Sequence, residues 1–83
     1  MNLLVLYDIA TNKVRSKIAD ACLDFNLQRI QYSAYLGQID PAWRPELEAR
    51  LQKILGEEKG RIHIVSLDKR AMKSLLKIGV GLD

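Results

Sequence analysis

The chain is poor in the residues that most often carry covalent or metal chemistry. One cysteine, Cys22, excludes an internal disulfide and any zinc cluster built on several thiolates. One histidine, His63, has no second histidine and no nearby acid in sequence, so it is expected to be a packed or surface residue. No apolar run reaches the length of a membrane span. The first residues enter an apolar stretch with no basic segment or small-residue cleavage site, so no signal peptide is expected. The cytoplasm is the expected location. Phosphate-cradling, dinucleotide-binding, zinc and serine-hydrolase motifs are all missing, as are repeats and low-complexity segments.

What remains is an ordinary globular composition: 83 residues, 48% hydrophobic and 28% charged. That is one small domain, spanning residues 1–83, and short of core. The net charge is +3 and is unevenly spread. The first sixty residues balance eight basic against eight acidic side chains, whereas from Arg61 onward five basic residues face two acids. Such a charge is compatible with a nucleic-acid partner without demanding one.

The most informative stretch is Leu3-Leu4-Val5-Leu6-Tyr7-Asp8-Ile9, a continuous apolar run that predicts a buried strand. Leu3, Val5, Tyr7 and Ile9 occupy one phase, and Leu4, Leu6 and Asp8 the other. Apolar residues on both faces mark a strand covered on both sides. A carboxylate there must be paired, solvated at the strand end or bound to a cation.

Thr11 or Asn12 is expected to cap a helix from Lys13 to Phe25. Val14, Ile18, Ala21, Cys22 and Phe25 form its apolar stripe, and Asn26 suits the left-handed residue that ends it. Leu27 to Ile39 is extended but long for one strand, so two antiparallel strands with a bend near Ser33 are expected. Asp40 and Pro41 break the second of them. A second helix is predicted from Pro45 to Leu55, burying Leu47, Leu51, Ile54 and Leu55, with Trp43 as a lid over the core. Arg61 to Leu67 reads as a fourth strand, and Ser74 to Val80 as a short fifth one.

This order predicts an α+β, ferredoxin-like βαββαβ domain with a short extra C-terminal strand. Its two helices cover one face of the sheet only. The apolar second face of the first strand then calls for a homodimer packed through the sheets. In such a dimer each Asp8 gains a partner, and a divalent cation between them would relieve their repulsion. Asp8 as a solvated helix cap is the alternative that the residues leave open. Arg15, Lys17 and Arg29 are placed to approach the same strand end, where cations suit a phosphodiester.

Tyr7-Asp8-Ile9, Arg15, and Arg29-Ile30-Gln31-Tyr32-Ser33-Ala34-Tyr35-Leu36-Gly37 together resemble the small CRISPR-associated adaptation proteins, the non-integrase member of the core pair that acquires spacers, known also as CRISPR-associated endoribonucleases. The resemblance implies a ferredoxin-like homodimer in which a C-terminal segment, about residues 69–83, pairs with the partner's sheet. It implies Asp8 as catalytic residue and Mg²⁺ ligand, and Arg15, Lys17 and Arg29 as nucleic-acid contacts, with Tyr7 and Tyr35 in support. Lys17 stands where arginine is frequent, Tyr35 where phenylalanine is usual and Asn26 where glycine is usual. Implied partners are a CRISPR-associated integrase, double-stranded DNA and single-stranded RNA. The implied roles are a bridge between integrase dimers and a Mg²⁺-dependent endonuclease. A toxin-type ribonuclease or a non-catalytic regulatory domain of the same topology is the alternative.

Overall fold

The structure is a computed structural model, and it describes residues 1–81. Strand β1 spans Asn2–Ile9, helix α1 Asn12–Asp24, strands β2 and β3 Gln28–Gln31 and Ala34–Gln38, helix α2 Arg44–Leu55 and strand β4 Gly60–Leu67. A single 3₁₀ turn, Pro41–Trp43, precedes α2, and a short helix α3, Lys69–Ser74, follows β4. The four strands lie in the order β2-β3-β1-β4, with β1 antiparallel to both neighbours. This is the expected α+β ferredoxin-like arrangement.

The alternation of β1 sets the layers. Leu3, Val5, Tyr7 and Ile9 are buried against Val14, Ile18, Ala21 and Cys22 of α1 and Leu47 and Leu51 of α2. Both helices therefore cover the same sheet face, and Tyr35 of β3 and Ile62 and Ile64 of β4 join that core. Leu4, Leu6 and Asp8 point to the other face, which no element among the described residues covers. There Leu4 lies between Leu36 and Val65, and Leu6 between Ala34 and His63. Leu6 and Val65 remain 39% and 41% exposed.

Local chemistry accounts for most boundaries. Asn26 takes the left-handed conformation (φ 68°) that ends α1. Asp40 accepts from the Ala42 amide at 2.9 Å and starts the 3₁₀ turn. The bend between β2 and β3 falls at Tyr32–Ser33, and a bulge between Arg29 and Gln31 breaks the alternation just before it. Gly37 lets β3 pass the α1–β2 connection closely, because a Cβ there would stand 2.7 Å from the Asn26 carbonyl oxygen.

Three expectations need correction. Thr11 occupies the cap position of α1 without a side-chain cap bond, its hydroxyl lying 3.4 Å from a Glu58 carboxylate oxygen instead. Trp43 is no lid: it is 53% exposed and meets Phe25 edge-on at 6.2 Å. The fifth strand expected over Ser74–Val80 does not form among the described residues: Asp68 accepts from the Ala71 amide at 2.7 Å and caps the helix α3, which runs from Lys69 through Ser74. After it Leu75 turns extended, and residues 75–81 are exposed and pair with no strand of this chain. The last two residues of the expected exchanging segment lie outside the described residues.

Candidate nucleic-acid site at the end of the first strand

Asp8 is the penultimate residue of β1, exposed on the uncovered face and opposite Arg61 of β4 in register. Its backbone is closely flanked. Gly60 sits opposite Ile9, and a Cβ on Gly60 would stand 2.8 Å from the Asp8 carbonyl oxygen. Glycine at that position lets β4 approach the strand end that carries the carboxylate. Among the described residues, no three His, Cys, Asp or Glu side chains come together as a metal-binding group. One chain thus offers a lone carboxylate, too few oxygen ligands to hold Mg²⁺ by itself.

Arg15 and Arg29 do meet. Arg15 lies in the first turn of α1, and its Nη1 donates to the carbonyl oxygens of Ile9 at 2.7 Å and Ala10 at 3.1 Å. That pair of bonds ties the helix start to the end of β1. Arg29, on β2, donates from Nε to the Gln31 carbonyl oxygen at 3.3 Å. Both guanidiniums then lie over the ring of Tyr32, with Cζ 5.9 Å (Arg15) and 5.1 Å (Arg29) from its centroid. Tyr32 occupies the β2–β3 turn, which a bond from the Tyr7 amide to the Ser33 carbonyl oxygen at 3.0 Å pins to β1. The described ion pairs are Arg44–Glu48 and Arg50–Asp24, so neither Arg15 nor Arg29 has a carboxylate partner among the described residues.

Lys17 does not join them. It is exposed on α1, two residues beyond Arg15 and so on a different side of the helix. Tyr7 and Tyr35 stack within the core, with ring centroids 6.3 Å apart and planes at 16°, on the sheet face opposite Asp8. Burial foremost, then the neighbouring Tyr35, pushes the Tyr7 hydroxyl up to about 12. It stays neutral at physiological pH and moves no proton there. Cys22 is buried on α1, and burial pushes its thiol up to about 11, which suits a core residue and not a nucleophile. His63 is exposed on the uncovered face, opposite Leu6.

Tyr32 is the residue that the sequence reading passed over. Its phase, shared with Ile30, Ala34 and Leu36, reads as an apolar strand face. The bulge between Arg29 and Gln31 and the turn at Tyr32–Ser33 shift that register and leave Tyr32 67% exposed. The available signal was an aromatic next to the end of an Arg-Ile-Gln-Tyr-Ser run, at a bend three residues after an arginine.

The fold is that of a small ferredoxin-like α+β domain, here with a carboxylate at the end of β1 and two arginines, Arg15 and Arg29, that lack carboxylate partners among the described residues. The family described as CRISPR associated protein Cas2 matches residues 1–74, and the chain belongs to that family. It is 39% identical over 79 residues to the CRISPR-associated endoribonuclease Cas2 2 of Pyrobaculum aerophilum, covering 95% of this chain and 87% of that one. It is 41% identical over 78 residues to a CRISPR-associated endonuclease Cas1/endonuclease Cas2 fusion of Thermoproteus tenax, covering 94% of this chain and 30% of the fusion. Among solved structures, Cas2 of Streptococcus pyogenes superposes with a TM-score of 0.83 at 28% identity, over 95% of this chain and all (100%) of that one. Membership in this family favours the two CRISPR readings over the toxin-type and regulatory alternatives.

Proposed function

We propose that the chain acts as a homodimeric nucleic-acid-binding subunit of CRISPR adaptation, bridging integrase dimers and gripping the backbone of duplex DNA. The observation that carries this reading is the convergence of Arg15 and Arg29, neither neutralised by a carboxylate among the described residues, at one end of the sheet. Paired guanidiniums match phosphate oxygens and carry no sequence preference, as a backbone grip requires. The fusion of a Cas1 endonuclease to a Cas2 portion in the Thermoproteus tenax relative supports an integrase of that kind as the partner. The uncovered face, with Leu4, Leu6, Leu36 and Val65, supports dimerisation sheet to sheet. β4 is an edge strand, and the exposed apolar residues Leu75, Leu76, Ile78 and Val80 suit the C-terminal segment to a partner's edge.

A second reading is a Mg²⁺-dependent endonuclease acting on RNA or DNA. It is favoured by the position of Asp8 on the uncovered face, where a second copy would bring a second carboxylate. The two Asp8 side chains would hold the ion, which when bound would activate water and offset charge on the phosphate. Arg15 and Arg29 would hold the phosphodiester and Tyr7, buried and neutral, would support the strand from beneath.

One substitution separates the two. Asp8→Asn is expected to keep the dimer and spacer integration while abolishing Mg²⁺-dependent cleavage, assayed on the same preparation. Loss of integration and cleavage together would contradict the bridging role. Undiminished cleavage would remove Asp8 from the second reading. A monomer by sedimentation at micromolar concentration would end both.

A further inference from the structure

We propose that Tyr32 is a positioning residue that makes Arg15 and Arg29 one two-armed clamp for a backbone phosphate. The inference rests on the nucleic-acid role above and adds to it that the two arginines act as a unit.

Two permanent cations from different elements, α1 and β2, converge on one small area with no carboxylate between them among the described residues. Their mutual repulsion should drive such flexible side chains apart. The Tyr32 ring offsets it: both Cζ atoms, at 5.9 and 5.1 Å, lie within the roughly 6 Å reach over which an aromatic face attracts a cation. The ring is not held by burial, being 67% exposed. It is held by the turn, which the Tyr7 amide fastens to β1 through the Ser33 carbonyl oxygen.

Each guanidinium also has part of its donor set tied to the main chain. Arg15 uses Nη1 on Ile9 and Ala10, and Arg29 uses Nε on Gln31. Among the described residues the remaining guanidinium nitrogens donate to no protein group. Two anchored cations, each presenting further donors beside a common ring, form an anion site of fixed geometry. Fixing the donors in advance reduces the entropy lost when a phosphate binds. A phosphodiester, with two free oxygens and one charge, is the ligand class that this geometry suits.

The test measures binding of a short labelled DNA duplex across a salt series, with thermal unfolding as a check on folding. Proteins compared are the unsubstituted chain, Tyr32→Phe, Tyr32→Leu, Arg15→Gln, Arg29→Gln and the double arginine variant, alone and with Tyr32→Leu. Tyr32→Phe is expected to bind like the parent, and Tyr32→Leu to bind roughly fivefold or more weakly, given about two- to fivefold per exposed cation–ring contact. The double arginine variant should lose clearly less than the product of the two single losses, and Tyr32→Leu should cost nothing further in that background. Undiminished binding by Tyr32→Leu, an equal loss in Tyr32→Phe, or multiplicative arginine effects would each overturn the clamp. Absence of salt-dependent duplex binding by the unsubstituted chain would overturn the nucleic-acid reading, and the clamp with it.

Discussion

The carbonyl oxygen of Asp8 lies 2.8 Å from the position that a Cβ on Gly60 would take, so β4 is built against the backbone of the carboxylate-bearing strand end. The same Cβ would meet Ile9 Cγ1 at 2.8 Å, and Gly60 has φ 156°, a region that side chains disfavour. Gly60→Ala is therefore expected to destabilise the fold by about 1–3 kcal/mol, the usual range for overpacking. Denaturant unfolding would read this as a lower midpoint with an unchanged slope. A midpoint equal to that of the parent would show that the β1–β4 end yields without cost.

The uncovered sheet face makes a different prediction. Leu6 faces Ala34 and His63 and is 39% exposed within the single chain, so a charge placed there costs the isolated fold little. Across a two-fold axis the same charge would meet its own copy in an apolar setting. Leu6→Lys is expected to convert a dimer to a folded monomer at micromolar concentration, read by sedimentation, with near-parental circular dichroism. A dimer unaffected by the lysine would place the interface elsewhere.

Stability against pH should show an alkaline limit. Tyr7 is raised from an ordinary 10.0 to about 12 and Cys22 from 9.0 to about 11, both chiefly by burial. Each group then holds its proton more tightly folded than unfolded. Below the ordinary values both states are protonated and these groups make stability independent of pH. As pH rises through about 9 to 12 the unfolded chain loses protons first, and stability falls. Cys22→Ala should remove the lower part of that decline. In the native chain at pH 8 the thiol should resist a disulfide reagent, and react only on unfolding; rapid native labelling would contradict its burial.

Much of this architecture was legible from local pattern, because local pattern is what forms helices and strands. The stripe Val14, Ile18, Ala21 and Cys22 is the buried face of α1, Asn26 does adopt the left-handed conformation, and the bend falls at Tyr32–Ser33. Alternation in β1 correctly divided Leu3, Val5, Tyr7 and Ile9 from Leu4, Leu6 and Asp8. Capping was less legible: Thr11 and Asp68 carry the same chemistry at a helix start, yet Asp68 caps and Thr11 does not. A cap bond depends on where the rest of the chain leaves the oxygen, as Glu58 beside Thr11 shows.

The site divides along the same line. Sequence alone determined that a carboxylate ends an apolar strand and that Arg15 lies at the start of the helix that follows, since both follow from residue type and order. Only the tertiary structure decided that Arg15 and Arg29 share the Tyr32 ring and that Lys17 points elsewhere. It also decided that Gly60 presses against Asp8. These depend on a bulge, a turn and a strand pairing, which set distances between residues remote in the chain. Periodicity tells which face a residue occupies; contacts between elements tell what it meets there.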